Sequence, residues 1–525
     1  MEFNHADLFE GLADVVGERV AAVCGSERVT YAELEAQANR LAHHLAAHGI
    51  GAGDHVGIQL YNGIEYLTGL LATLKLRAVP INVNYRYVEA ELRYLYTDSD
   101  MAALIFDAEF GPRVAAAAAQ APRLRHLIAV GGPAESAIPW PTALSGMPDT
   151  RDFPARSGQD VYIIYTGGTT GLPKGVMWHT EDLFMAFGGG NPWGAPLTSP
   201  DAVIEQARNA GPLTMMAAAP LMHGAAQMGT FITWWMGGTM VYVPKFDAQE
   251  VLAAIEREKV ITLNITGDAM ARPLADAIAT GAYDLSSLFV MSSTGAILTG
   301  TVRDRLQELL PNTMIMDSFG STESGYTAAA VAGSSPESGL KYQPNANSTM
   351  AVLDAALQPV RPGSGEMGTV AKTGRIAFGY YNDPQKTAET FVTDPAGVTW
   401  LLTGDLAMVE EDGTMRVFGR GSQCINTGGE KVFPEEVEAV LKGHPAVFDA
   451  VVTGIPDDHW GHRVAAVVEP RPDLPVTADD LTAHCRTRLA SYKIPRTYAF
   501  VPQIHRSPAG KADYRWAREQ AQAAK

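Results

Sequence analysis

The chain has 525 residues, with 40 Lys and Arg against 58 Asp and Glu for a net charge of −18, and 46% of it is apolar while 19% is charged. That composition excludes a disordered chain, and the length calls for several structural units around a core that needs no disulfide or metal staple. The acidic balance, with no Lys/Arg stripe, excludes broad nucleic-acid binding.

Cys24, Cys424 and Cys485 are scattered without CxxC or metal-ligand spacing, which fits free thiols in the cytoplasm. The opening segment carries acid and no apolar run, so it does not read as a signal peptide. Ala21–Cys24 predicts a strand and Gly25-Ser26 a turn. Thr30 with Glu33 forms a capping-box pattern opening a helix that carries Leu34, Leu41 and Leu45 and closes at Gly49. Val56–Leu60 predicts a strand, Ile64–Leu76 a helix, Val79–Val83 a strand, and the alanine run Ala115–Ala119 a helix. Such alternation predicts layered α/β architecture with mixed or parallel sheets.

From Asn209 to Pro244 no Asp, Glu, Lys or Arg occurs. Pro212, Pro220, the Gly237-Gly238 pair, His223 and Gln227 interrupt it, so a buried helix–strand pair lining a pocket is expected rather than a membrane span. Arg361-Pro362-Gly363 and Asp394-Pro395 mark loops of a small β-rich segment near 345–420. Beyond it, Pro434 starts a helix with early Glu435, Glu436 and Glu438 and with Gly443 past its end. Val447–Ile455 and Val464–Val468 are strand-like, and Thr477 with Asp480 opens a helix running to about Leu489. The expected fold is therefore α/β. A large layered N-terminal domain over 1–420, including the β-rich subdomain, precedes a small mobile α+β C-terminal domain over 421–525, with the boundary at Arg420-Gly421-Ser422.

The strongest chemical signal is Tyr165-Thr166-Gly167-Gly168-Thr169-Thr170-Gly171-Leu172-Pro173-Lys174-Gly175, directly after strand-like Val161–Ile164. Glycines let the backbone N–H groups approach an anion, and three Thr hydroxyls and one Lys add donors, which suits a polyphosphate. The spacing is not that of a Walker loop, and a plain glycine-rich turn is the alternative.

This segment resembles the phosphate loop of the adenylate-forming superfamily: acyl-CoA synthetases, peptide-synthetase adenylation domains and luciferases. Four more motifs follow in that superfamily's order. They are Ser318-Phe319-Gly320-Ser321-Thr322-Glu323, Thr403-Gly404-Asp405, Gly419-Arg420 with Gly428-Gly429-Glu430-Lys431, and Ser507-Pro508-Ala509-Gly510-Lys511. The resemblance spans nearly the whole chain. It implies a reaction of a carboxylic acid with ATP to give acyl-AMP and pyrophosphate, two anions brought together by electrostatic stabilisation.

The resemblance assigns Lys511, at the tip of the mobile unit, to bridge carboxylate and α-phosphate, and Thr322 to donate to the phosphate. Glu323 is assigned to hold Mg²⁺, for which a hard carboxylate is suited. Phe319 would stack on adenine with Gly295, Ala296, Asp317, Ser318 and Gly320 around the nucleotide, and Asp405 and Arg420 would bind the ribose. His223 is implied as a gate for the carboxylate, the alternative being a hydrogen-bonded core histidine. Met215, Met216, Met228, Trp234 and Trp235 are candidates for the acyl pocket or for plain core. The absence of charge there favours an apolar acid, although Asp268 offers an ammonium partner.

The chain departs from the family pattern at Gly167 for Ser, Phe319 for Tyr, and Ser422 where a hinge Asp or Lys is usual, which puts the hinge energetics in question. Gly428 and Gly429 resemble the pair lining a pantetheine tunnel. With Cys424-Ile425-Asn426-Thr427 they look most like fatty or steroid-side-chain acyl-CoA synthetases, which makes CoA the expected acceptor. An amide ligase using an amine acceptor is the alternative, and a non-catalytic adenylate sensor is disfavoured by the presence of both Lys511 and Glu323. The implied partners are small molecules, and an oligomer stays open.

Overall fold

The computed structural model describes residues 2–166, 172–192, 194–296, 298–330, 340–344, 349–427, 430–457, 460–472, 474–506 and 510–524. The fold is α/β, with a large N-terminal domain and a small C-terminal one. Among the described residues there are sheets of 14, 8 and 5 strands.

The early elements follow their local signals. Thr30 and Glu33 form a capping box on the helix Tyr31–Ala47, whose Leu34, Leu41 and Leu45 are fully buried, and Gly49 follows its C-cap His48. The strands His55–Gln59 and Val79–Asn82 flank the helix Ile64–Lys75 and pair in parallel. These strands, buried at every position, read as apolar runs because helices cover both faces. The alanine run lies in the helix Gly111–Ala118.

The uncharged stretch is interior. It forms the strand Thr214–Ala217, the helix Gly224–Trp235 and the strand Thr239–Tyr242, and among the described residues no helix is long and apolar enough to cross a membrane. Met216, Trp234 and Trp235 are buried in the main core. Trp234 Nε1 donates to the Ala21 carbonyl at 3.0 Å, and Trp235 packs edge-on against Phe184.

The β-rich segment is not a separate sheet. The strand Met314–Ser321 runs parallel to Val290–Ser293 over its first half, then antiparallel to Gly325–Ala330 over its second. One eight-residue strand thus belongs to both layers, and the small sheet with Gly368–Lys372, Thr399–Val409 and Met415–Arg420 grows from the large one. The changeover falls between Asp317 and Ser318 and places them where the two packing layers part.

After Arg420 a single 3₁₀ turn, Gly421–Gln423, leads into the five-stranded C-terminal unit. Its helix Pro434–Lys442 and the long hairpin Val447–Asp457 with Gly461–Pro470 enclose a core of Val437, Leu441, Val452 and Val468. The helix opened by the Thr477–Asp480 capping box ends at Arg486, three residues before the expected Leu489. There the Leu489 N–H turns back to the Cys485 carbonyl at 2.8 Å.

Candidate active site

Between the two domains lies a cavity of about 780 Å³. One wall is the hairpin of Val161–Thr166 and Lys174–His179, in which Thr166 and Lys174 face each other across the ladder and both line the cavity. The predicted loop residues Gly167, Gly168, Thr169 and Thr170 lie outside the described residues, as do Gly428 and Gly429. Lys174 Nζ is paired with Asp383, which also accepts the Lys386 N–H and so caps the helix Pro384–Thr390.

The second wall is the Met314–Ser321 strand and the turn after it. Asp317 is buried and accepts a 3.2 Å hydrogen bond from the Tyr342 hydroxyl; burial pushes its carboxyl up to about 7. Phe319 faces the cavity with its ring 5.2 Å from that of Tyr342, so one aromatic supports the other. Ser318 and Gly320 line the cavity beside it, and Gly295 and Ala296 continue the wall from the loop after Val290–Ser293.

The turn carrying Thr322 and Glu323 is pinned at three successive carbonyls. Trp178 Nε1 donates to Thr322 O at 2.9 Å, the Ala377 N–H to Glu323 O at 3.0 Å, and Lys372 Nζ to Ser324 O. Burial lowers Lys372 to about 8. The Glu323 carboxylate is aimed by the Tyr380 hydroxyl, which donates to Oε1 at 2.9 Å. A carboxylate held this way from below is preorganised, so its orientation costs nothing at the moment of reaction.

Asp405 and Arg420 face each other across the Thr399–Val409 and Met415–Arg420 pair, with Oδ1 and Nε 3.7 Å apart. Burial raises the Asp405 carboxyl, opposed by Arg420 and Thr403.

The C-terminal unit supplies the lid of the cavity. Lys511 is half-buried and lines it. Burial lowers its amine, as does the Arg420 charge, while Glu323 and Asp405 act the other way; all four side chains line the cavity. The residue before it, Gly510, lies on the helix Gly267–Thr280: a Cβ there would meet Ala269 Cβ at 2.9 Å and Thr266 O at 3.2 Å. Arg506 donates to the Gly510 carbonyl at 3.0 Å and holds Asp449 at 2.6 Å. Lys442, almost wholly buried, stands 3.5 Å from Asp449, 3.7 Å from Asp268 and 3.8 Å from Glu438. Asp268 is thus committed to Lys442, Arg272 and the Thr299 N–H and hydroxyl, and is no partner for a substrate ammonium.

His223 precedes the helix Gly224–Trp235 as its N-cap without a side-chain capping bond. Its Nε2 is buried with no hydrogen-bond partner. Burial, then the Lys511 and Arg86 charges, pushes it down to about 3, so it is a neutral imidazole beside the lysine. The cavity wall begins one residue on, at Gly224, and continues as an apolar arm past Ala217, Ala226, Met228, Gly229 and Ile232. Of the five candidate pocket residues only Met228 lines it. Met215, Met216, Trp234 and Trp235 are buried in the core and do not line it.

Sequence reasoning did not single out Tyr380, Asp383, Lys372, Lys442, Arg506 or Glu435. The turn signal Asn382-Asp383-Pro384 marks a helix start beside Tyr380, whereas buried Lys372 and Lys442 carry no local signature.

Residues 9–381 match the family model described as AMP-binding enzyme, and residues 436–511 match the AMP-binding enzyme C-terminal domain. The chain belongs to the AMP-binding enzyme family. It is 45% identical to a medium/long-chain-fatty-acid–CoA/3-oxocholest-4-en-26-oate–CoA ligase of Mycobacterium marinum, covering 99% of this chain and 97% of that one. A 3-oxocholest-4-en-26-oate–CoA ligase of Rhodococcus rhodochrous is 44% identical, covering 99% and 96%. Among solved structures, the anthranilate CoA ligase AuaEII in complex with anthranoyl-AMP superposes with a TM-score of 0.86 at 25% identity, covering 100% of this chain and 98% of that one. The fold of this AMP-binding enzyme is thus shared along its full length.

Proposed function

We propose that this AMP-binding enzyme activates an apolar carboxylic acid with ATP and transfers the acyl group to the thiol of CoA. The acids best matched to it are medium- and long-chain fatty acids and steroid side-chain acids. The observation that carries the reading is that Lys511, Glu323, Asp405 and Arg420 line one cavity that continues into an arm of uncharged residues.

In the first step a carboxylate oxygen attacks the α-phosphorus and pyrophosphate leaves. The Lys511 ammonium lies between the two anions and stabilises the negative charge that builds up there. Thr166, Lys174 and Thr322 attend the phosphates, together with Gly167, Gly168, Thr169 and Thr170. Asp405 and Arg420 hold the ribose, and Phe319 with Gly295, Ala296, Asp317, Ser318 and Gly320 holds the adenine. His223, neutral and at the start of the apolar arm, positions the carboxylate.

The donor set fits Mg²⁺, since Glu323 is a single hard carboxylate already oriented by Tyr380 and the remaining ligands are phosphate oxygens and water. Bound there, the ion neutralises phosphate charge. In the second step the CoA sulfur attacks the acyl carbonyl and AMP leaves. We assign residues 1–420 to the adenylating domain and 421–525 to the mobile one, which turns at Arg420-Gly421-Ser422 and brings Gly428 and Gly429 to the pantetheine. The compartment is the cytoplasm, where Cys24, Cys424 and Cys485 stay reduced.

The test is pyrophosphate release with ATP, Mg²⁺ and a panel of apolar acids, with CoA, with an amine, or with neither. Acid-dependent release speeded by CoA, with a thioester seen by mass, is expected; an amide without a thioester would overturn the acceptor.

A further inference from the structure

Away from the cavity three histidines converge. His44 and His48 stand one turn apart at the end of the helix Tyr31–Ala47, and His126 opens the strand His126–Val130. His44 Nε2 and His126 Nε2 are 3.0 Å apart, and one ring nitrogen from each of the three lies within 4.8 Å of the others. The ring centroids are 4.3 Å apart for His44–His48 and His48–His126, and 5.0 Å for His44–His126.

Two features make this a ligand set rather than a packing accident. First, His48 Nδ1 donates to the His44 carbonyl at 2.8 Å, which leaves Nε2 carrying the lone pair; ligating histidines are held in this way. Second, the site sits at the carbonyl end of a helix, where a cation is favoured. The adjacent cation, Arg125, is engaged by the Gly49 carbonyl at 2.8 Å and by Asp54 at 3.3 Å.

The spacing of the His44–His126 pair agrees. Zn–N bonds of about 2.0–2.1 Å in tetrahedral array set nitrogens about 3.3 Å apart, a few tenths of an ångström beyond the His44–His126 separation. His48 is exposed, which leaves the fourth position to water.

We propose that His44, His48 and His126 form a divalent-metal site that takes Zn²⁺ with water as fourth ligand. A set of imidazoles alone selects a borderline metal over Mg²⁺ or Ca²⁺. None of the three lines the cavity, so the ion acts as a clip. It ties the end of the helix Tyr31–Ala47 to the strand His126–Val130 and takes no part in acid activation.

The experiment strips the tag-free full chain with a chelator. It then titrates Zn²⁺ by calorimetry and Co²⁺ by visible absorption, and follows Tm. One Zn²⁺ per chain, tetrahedral Co²⁺ bands and a raised Tm are expected. His126→Gln and His48→Ala should each weaken binding more than about 100-fold, beyond the 10–100-fold cost of losing a supporting partner. Because His48 is exposed, its variant folds whatever His126→Gln does. Sub-stoichiometric uptake, or uptake unchanged in His48→Ala, would overturn the site.

Discussion

Replacing Gly510 with Ala tests whether the docking of the C-terminal unit positions Lys511. Gly510 has φ +69, a left-handed conformation that costs an L-residue about 1–2 kcal/mol. Its new Cβ would stand 2.9 Å from Ala269 Cβ, where carbon atoms prefer about 3.5–4.0 Å, and 3.2 Å from the Thr266 carbonyl. Both neighbours are short and fixed, so the tip must withdraw by over half an ångström, adding about 1 kcal/mol. The sum, about 2–3 kcal/mol, lowers the docked-to-undocked ratio by about 30- to 150-fold, and so the docked fraction by about 15- to 75-fold where the two states start near balance. Two assays read it: pyrophosphate release from acid and ATP, and thioester formation from synthetic acyl-AMP and CoA. The first should fall by that factor and the second should stay within about threefold. Equal loss in both, or no loss in the first, would refute the claim that this contact places the lysine.

Three further perturbations follow from the same geometry. Lys511→Ala should lower pyrophosphate release by at least about 10²–10³-fold, the usual cost of one donor to a developing charge, and spare thioester formation from acyl-AMP. Gly229 lines the apolar arm with its absent Cβ 3.4 Å from Asn264 Nδ2. Gly229→Leu should displace about three methylenes of a long acid at about 0.8 kcal/mol each, a loss of about 50-fold in kcat/KM for long chains with short acids retained. Glu435 is pushed up to about 8 from 4.5 by burial beside Glu438, Asp405 and Glu436, and its Oε2 has no partner. Because the folded pKa is raised, the folded state binds more protons between these values. Its stability advantage is present below about pH 4.5 and is lost as pH rises through about 8, by a few kcal/mol in all. Glu435→Gln should flatten the denaturation midpoint across that window and exceed the parent above pH 8; an unchanged slope would contradict it.

Local chemistry carried the sequence reading where a signal is short-range. The Thr30 and Thr477 capping boxes and the Pro434 helix start each need only neighbours in the chain, and their helices begin where expected. What stayed illegible is non-local. Nothing near Lys372 in the chain tells that it reaches back to the Ser324 carbonyl, 48 positions away. Asp268 looked like a free acid because, besides the nearby Arg272, its partners Thr299 and Lys442 arrive from distant parts of the chain. The uncharged stretch was readable as interior. The sequence could not separate Met228, on the cavity, from Trp234 and Trp235, in the core, because the helix Gly224–Trp235 buries residues on nearly every side. The three-histidine cluster was illegible for the same reason, since His126 joins His44 and His48 only through the sheet.

The docking network also bears on the proposed two-step cycle. Buried ion pairs hold tightly only when short and fully hydrogen-bonded. Arg506 and Asp449 meet that standard at 2.6 Å, but both belong to the C-terminal unit and keep its own tip rigid. Among the described residues two ion pairs cross between the domains: Lys442 to Asp268 at 3.7 Å, shared with Glu438 and Asp449, and Arg471 to Asp276 at 3.4 Å. At the hinge side, Gly419 has φ +120, and its missing Cβ leaves room for the Glu435 carboxyl, which would lie within 2.6–2.9 Å of one. Across the seam of the closed cavity, the ion pairs of 3.4 and 3.7 Å are longer than the 2.6 Å pair within the C-terminal unit, and Glu435 Oε2 has no partner. In the proposed cycle the rigid tip would deliver Lys511 and the longer interdomain pairs would release it, as one face serving ATP and then CoA requires. A shorter Lys442–Asp268 bond would speed neither step, because it would stabilise the first state at the expense of the second.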